Sequence, residues 1–493
     1  MRIAVWIAAA CALSAAGCFG PERLHRTFRG ARESAYERRS AVRAAEAEAL
    51  PVLSGKLTLE DAIKVALAWN KPLRAALEDK EIARGRVVES YGEVLPSVSA
   101  VGSYGRVDQP RGFKVGTTRV YLGDLDNYSA DLQVRQPIFR GGAIGAALRA
   151  AEVYSYLADE AVRAQIQATI FEVASAYYEA LLAEKLYEAN RAAVESAERH
   201  LADVRTKFSQ GVASRFDVLR AEVDVSNFQA DAIREQNRLH LAKTRLLKGM
   251  GVSQETEVGL AGELAYEPAR PVLEEAMRIA QTNRPDLTIA EAGVRLQEEA
   301  LRIAKSRYWP SVDATFVYGW AYPDPHTSLR DWDDRWVAGV EVALPLFDGL
   351  RREGRVIQEG AALERRKVEL RDAEERAALE VQQALLSLRD AEELAESQRL
   401  NLERAQEGLR LAEVGFREGV TTEVEVVDAR AALTRARGLY YQAIHAHTMA
   451  RLSLQLAMGI LGPAAGDRTP PEDVRVRPAD PAVLAPTDSG EGR

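Results

Sequence analysis

Pro137-Ile138-Phe139-Arg140-Gly141 recurs as Pro345-Leu346-Phe347-Asp348-Gly349, at an offset of 208 residues. Phe208-Ser209-Gln210-Gly211-Val212 recurs as Phe416-Arg417-Glu418-Gly419-Val420, and Met250-Gly251 as Met458-Gly459, at that same offset of 208. Upstream, Leu95-Pro96-Ser97-Val98 matches Trp309-Pro310-Ser311-Val312 at 214, and Asn70-Lys71-Pro72 matches Asn283-Arg284-Pro285 at 213. Short segments that keep their order and spacing in this way mark an internal duplication. The change of offset places a length difference between Val98 and Pro137.

Working outward from the Phe-x-Gly pair, each half changes its apolar period from two to helical. Val312, Ala314, Phe316, Tyr318 and Trp320 alternate with smaller or polar residues. So do Tyr128, Ala130, Leu132 and Val134, then Trp336, Ala338, Val340, Val342 and Leu344, and more weakly the stretch from Val98 to Tyr104. Alternation over four such runs predicts strands with one apolar face, which a half-buried soluble sheet or a membrane barrel would both satisfy. Aromatic residues at strand ends (Tyr104, Tyr128, Trp309, Trp320, Trp336) favour the barrel with its interfacial girdles. After each Phe-x-Gly, 142–208 and 350–416 contain no proline and few glycines, predicting helices of about 100 Å. Val194, Ala197, Leu201, Val204 and Phe208 form a coiled-coil seam, matched by Leu402, Ala405, Leu409, Ala412 and Phe416. Beyond Gly211 the seam returns through Ala221, Val225, Phe228, Ala232, Leu239, Ala242 and Leu246. Each half therefore ends in an antiparallel helical hairpin whose return arm stops at Met-Gly. Shorter helices are expected over 72–94 and 285–308.

The chain has 493 residues, 28% charged and 47% hydrophobic, with a net charge of −8, which suits an ordered protein and gives no basic stripe for nucleic acid. Its two cysteines, Cys11 and Cys18, both lie near the N-terminus, so no disulfide framework holds the body together. Met1-Arg2, an apolar run over 3–16 and Gly17 read as a secretory signal, too short to span a bilayer. Ala15-Ala16-Gly17-Cys18 resembles a lipoprotein cleavage site, which would leave lipid on Cys18. No later run has the ~18 uncharged residues of a membrane helix, so insertion must use strands.

Thr422-x-x-Glu425 and Ser214-x-x-Asp217 are capping boxes, and Gly211 and Gly419 are placed to end helices at positive φ. The six histidines (His25, His200, His240, His326, His445, His447) complete no metal or catalytic constellation by spacing. His447 falls on the packing seam, and Asp324 and His326 belong to a polar loop between strands. No catalytic residue, metal site or cofactor is expected.

Taken together, strand pair, long helix, Gly-Val turn and half-length return, duplicated from about Leu57 to Ile460 and including Leu57-Thr58-Leu59-Glu60-Asp61-Ala62, resemble the TolC family of bacterial outer-membrane efflux proteins. The lipid-bearing cysteine resembles its lipoprotein branch, with OprM-, CusC- and NodT-like channels. The fold class so implied is an α+β membrane protein of long α-helical coiled-coil hairpins and four barrel strands per protomer, forming a trimeric β-barrel and α-helical tunnel. The domains would be a signal peptide (1–17), a lipid-anchored periplasmic segment (18–56), a first repeat (57–251), an equatorial connector (252–270), a second repeat (271–459) and a disordered tail (460–493). The resemblance implies a homotrimer in outer-membrane lipid, with a periplasmic adaptor protein and an inner-membrane pump as partners. It would serve as a passive conduit for drugs or metal ions; a type I protein-secretion outlet or a pore-free coiled-coil lipoprotein are the other readings. The family's gate acids fall on Glu425 and Asp428, with Asp217 in the other hairpin. Phe208, Gly211, Val212, Phe416, Gly419 and Val420 occupy the adaptor-contact turns. Thr421 stands where the family often has a basic latch residue.

Overall fold

A computed structural model of the chain describes residues 25–26, 28–36, 55–122, 124–324, 326 and 331–462. The signal segment, Cys18, most of 18–56 and the tail beyond Gly462 lie outside the described residues. In chain order, the elements from Lys56 are β1 (Lys56–Leu57), α1 (Leu59–Trp69), α2 (Lys71–Gly92), β2 (Ser97–Arg106), β3 (Arg111–Val115), β4 (Thr118–Leu122), β5 (Asp126–Arg140) and α3 (Ala143–Ser209). They continue with α4 (Arg215–Met250), β6 (Gly259–Leu260), α5 (Leu273–Asn283), α6 (Pro285–Ser306), β7 (Ser311–Tyr322), β8 (Asp333–Ala343), α7 (Arg351–Arg417) and α8 (Glu423–Ala457). The two long helices are 67 residues each. Two helices that the sequence pattern did not resolve, α1 and α5, precede α2 and α6. The hairpin β3–β4 lies in the segment where the repeat offset changes.

The chain divides into two compact units. One combines the residues up to Asn70 with Glu172–Ala265 and Gln398–His445; the other combines Lys71–Phe171, Tyr266–Ser397 and the residues from Ala446. In the second unit β2, β5, β7 and β8 form an antiparallel sheet in the order β2-β5-β7-β8. Directly paired residues share a face, so the register sorts the sheet's side chains. Val98, Ala100 and Tyr104 join Tyr128, Ala130, Leu132 and Val134 on one face. Phe316, Tyr318 and Trp320 continue it, then Trp336, Ala338, Val340 and Val342. This face is apolar and uncovered: Trp336, Val340 and Val342 are 67%, 65% and 64% exposed. Pro137 lies on a central strand, where it removes a ladder donor, and it sits where the β5–β7 register shifts at a bulge.

The same unit buries a helical core. Val381, Ala384, Leu385, Leu388 and Ala391 of α7 pack with Ala276 and Ala280 of α5 and with Ala450, Leu454 and Met458. The buried stripe of α7 thus runs over 373–395, whereas the expected seam from Leu402 to Phe416 is only half-buried in the single chain. In the first unit, Ala197 and Val204 of α3 are buried, as are Ala221, Val225, Ala242 and Leu246 of α4. Arg205–Glu222 at 2.8 Å and Arg245–Glu179 at 2.9 Å tie these antiparallel arms at their surface. The buried Tyr177 hydroxyl points at the carbonyls of Leu57 and Ala261, pinning the two-residue parallel bridge of β1 with β6.

The repeated Met-Gly and Asn-x-Pro motifs meet in each half. Gly251 (φ +81°) ends α4 against the backbone of Trp69 and Asn70, and the Asn70 amide donates to the Gly249 carbonyl at 2.7 Å. Gly459 (φ +71°) lies against Asn283 and Arg284, where a Cβ would come within 2.8 Å of the Arg284 nitrogen. Arg284 itself donates to the Ala457 carbonyl at 3.1 Å. Gly211 and Gly419 also have positive φ but open space around them. Alanine at any of the four therefore costs roughly 1–2 kcal/mol of left-handed strain, and at Gly251 or Gly459 a backbone collision as well. Thermal melts followed by far-UV circular dichroism should rank Gly251→Ala and Gly459→Ala as clearly more destabilising than Gly211→Ala and Gly419→Ala.

Candidate functional site

Two regions concentrate the polar groups: one face of the sheet and the hairpin turns. On the sheet, the face opposite the apolar one carries Ser99, Ser103, Ser129, Asp131, Arg135, Asp313, Thr315, Arg335 and Glu341. Arg335 of β8 reaches Asp131 of β5 at 3.1 Å, across the intervening strand β7. The residue between them is Gly319, where any Cβ would collide with the Asp131 carboxylate and the Ala130 carbonyl. Asp313 is buried beneath two arginines, Arg135 at 2.7 Å and Arg140 at 2.9 Å. The sheet is therefore greasy on one side and laced with ion pairs on the other. That arrangement lets one surface meet hydrocarbon while the other meets water.

Both turns lie in the first unit and are built alike. After Gly211 (φ +77°), the Val212 amide donates to the Lys207 carbonyl at 2.9 Å. After Gly419 (φ +73°), the Val420 amide donates to the Gly415 carbonyl at 2.8 Å. Left-handed glycines recover carbonyls that would otherwise be orphaned at a helix C-terminus. Val212 and Val420 project into solvent at 75% and 81% exposure, and Phe208 is also exposed. Phe416 is half-buried, with its ring centroid 5.7 Å from that of His200 and the Lys207 ammonium 3.8 Å from it. Thr421 is held within its own hairpin: its hydroxyl donates to the Ala412 carbonyl at 3.0 Å and its side chain lies against Gly415.

The capping boxes form in both turns with unequal closeness. The Ser214 amide and hydroxyl donate to the Asp217 carboxylate at 2.8 and 2.7 Å, and the Asp217 amide donates back to the Ser214 oxygen at 3.2 Å. The corresponding Thr422–Glu425 bonds are 3.4 Å each way. Glu425 and Asp428 are both exposed, three residues apart on α8 and so on one helix face.

A denser group, which spacing alone did not reveal, sits just inside the turns. Its members come from α3, α4, α7 and α8. Arg430 is buried, donating to the Ser196 hydroxyl at 2.9 Å and facing Glu413 at 3.7 Å. His200 is buried with its Nε2 3.5 Å from Glu423 Oε1. The carboxyl facing Asp217 is that of Glu423. Hydrogen bonds from Ser214 hold Asp217 below the usual carboxylate range, while burial and the Asp217 charge push Glu423 up. Burial likewise raises Asp224, and Asp428 adds to it. Burial, then the nearby Arg430 charge, lowers His200 from 6.5 to about 4. The His200–Glu423 contact at neutral pH therefore involves a neutral imidazole, and it is not an ion pair. In the sequence His200 stands next to the seam residue Leu201; the other charged members of the group come from α4, α7 and α8.

His447 is buried on the seam, edge-on to Tyr266 at 4.9 Å, which fits the packing role expected of it. Among the described residues no helix is long and apolar enough to cross a membrane.

A family model described as outer membrane efflux protein matches residues 62–252 and 276–460. Protein CyaE of Bordetella pertussis is 26% identical over 423 residues, covering 85% of this chain and 87% of its own. The probable efflux pump outer membrane protein TtgC of Pseudomonas putida is 24% identical over 391 residues, covering 77% and 78%. The CmeC outer membrane channel of Campylobacter jejuni superimposes with a TM-score of 0.72 at 15% identity, over 83% of this chain and 87% of that one.

The depressed His200 makes the stability of the fold depend on pH. A base whose folded pKa (about 4) lies below its unfolded value (6.5) disfavours the folded state once charged. The stability that neutral His200 allows is complete above pH 6.5 and is lost as pH falls towards 4, on the order of 3 kcal/mol. Glu423, raised instead, acts in the opposite direction, favouring the fold at low pH. Denaturant midpoints measured from pH 7 to pH 4 should fall less steeply in His200→Gln than in the unmodified protein.

Proposed function

The chain belongs to the outer membrane efflux protein family, and from that premise we propose that three copies form a passive conduit that carries small molecules out through the outer membrane. The observation that carries this reading is the two-faced sheet with open edges. Among the described residues β2 and β8 each have one hydrogen-bonded neighbour, so each offers a row of free backbone donors and acceptors. Hydrocarbon cannot satisfy those groups, and four strands cannot curl into a closed barrel on their own. Pairing β8 of one copy with β2 of the next satisfies both edges and repeats until the ring closes. The apolar face then meets lipid and the ion-paired face lines water. A pore-free coiled-coil lipoprotein gives no reason for so large an uncovered apolar face.

In this reading an inner-membrane pump supplies the energy and a periplasmic adaptor joins it to the hairpin turns. The exposed Phe208, Val212 and Val420, around Gly211 and Gly419, support that contact because they leave apolar surface in solvent at the turns. Lipid on Cys18 would tether each copy beside the barrel. One acyl chain binds a bilayer only marginally, so the barrel remains the principal anchor. Glu425 and Asp428 serve as the cation-selecting acids of the periplasmic mouth. Both are exposed, and the loose Thr422–Glu425 cap leaves the carboxylate free to face an axis. Asp217 serves as a helix cap, because its carboxylate is already occupied by Ser214. Proteins are the alternative cargo, and no residue of the described chain favours them.

Detergent-purified protein placed in planar bilayers should give discrete conductance steps and sediment as a trimer; a monomer without conductance would overturn the conduit. Glu425→Gln with Asp428→Asn should lower the cation-to-anion permeability ratio several-fold and leave the trimer intact. An unchanged ratio would remove these two acids from the mouth.

A further inference from the structure

We propose that the loop between β7 and β8 holds a divalent transition-metal ion of the zinc type, ligated by Asp324, His326 and Asp333. The strand order places this loop at the end of the sheet away from the helices, since β5 runs into α3 and β7 follows α6 at the other end. In the conduit reading that end is the outer mouth of the barrel; the site itself rests only on the three side chains.

Their donor atoms converge. His326 Nδ1 is 3.6 Å from Asp324 Oδ1 and 3.2 Å from Asp333 Oδ2, and one ligand atom from each residue lies within 4.8 Å of the others. Bonds of about 2.0–2.1 Å in a tetrahedral shell put neighbouring donors roughly 3.3 Å apart. The two measured edges bracket that value, so an ion can enter with a small movement of side chains. The set is held from both strands. Asp324 follows the end of β7 and is nine-tenths buried, with its carboxylate accepting the His326 amide at 2.7 Å. Asp333 opens β8 and accepts the Asp334 amide at 3.0 Å through its other oxygen, leaving Oδ2 towards the imidazole. One imidazole and two carboxylates suit zinc, nickel or cobalt. Calcium takes six to eight oxygen ligands at longer distances, which this set does not provide. His326 is itself exposed, so an ion and a completing water can reach it from solvent. Sequence spacing could not show the third ligand, because the turn is what returns Asp333 to Asp324 and His326.

The test uses the intact protein in detergent, untagged and stripped with chelator, titrated with zinc chloride in a calorimeter. One zinc per chain is expected to bind, with excess calcium failing to compete. His326→Ala should weaken binding at least tenfold, Asp333→Asn should do so as well, and His326→Cys should restore it. All variants should keep the elution volume of the unmodified protein, since the His326 and Asp333 side chains are exposed at the end of the β7–β8 hairpin. Zinc binding below one per chain, or of equal strength in His326→Ala, would show a hydrogen-bonded turn only and overturn the proposal. Competition by calcium at similar concentration would overturn the assignment to a transition metal.

Discussion

Backbone groups at a strand edge must be paired before they enter lipid, and that requirement governs how this chain can exist. Among the described residues its sheet has an apolar face with nothing on it and two edges, β2 and β8, with one partner each. Water would tolerate the edges but not the face; lipid would tolerate the face but not the edges. Closure with further copies answers both at once. The polar side is arranged to survive closure, because Asp131 and Asp313 are already paired with arginines within the chain. Arg335 spans β7 to Asp131 only because Gly319 leaves the path clear, and Asp313 is buried only because two arginines neutralise it. Carboxylates without such partners would carry a large desolvation cost.

The helical part depends on a different device used twice. A long return helix must end beside a break between two shorter ones, and the close approach leaves no room for a Cβ. Gly251 and Gly459 supply both the left-handed φ and the missing side chain. The breaks supply the complementary polar group by different means. In the first half the Asn70 amide caps α4 through the Gly249 carbonyl. In the second, Arg284 takes over with the Ala457 carbonyl and is itself neutralised by Asp286 and Glu380 at 2.8 and 2.6 Å. Duplication preserved the joint and allowed its hydrogen-bond donor to change.

The turns show how one residue type divides between structure and function. Asp217 and Glu425 stand at equivalent positions of two capping boxes, yet one carboxylate is engaged at 2.7 Å and the other at 3.4 Å. The engaged one is further drawn into a buried group with Glu423, His200 and Arg430. In that group the Ser214 hydrogen bonds hold Asp217 down while burial and the Asp217 charge push Glu423 up, so the two carboxyls ionise apart. Acid at this end of the chain is therefore of two kinds, a set packed between the helices near His200 and Arg430 and an exposed pair on α8.

The amino-acid sequence alone determined the duplication, the four alternating strands, the two long helices and the glycine turns. Those features are local: they follow from side-chain period and from the few residues that accept positive φ. It did not reveal α1 and α5, nor the buried stripe of α7 over 373–395. It brought Thr422 to Glu425 and Ser214 to Asp217, because a box spans only one helical turn. Only the tertiary structure decided that the apolar sheet face is bare, that Glu423 and not Glu425 faces Asp217, and that Asp333 returns to Asp324 and His326. Those pairings join residues from separate elements. Their distances depend on register and helix packing, which no spacing along the chain records.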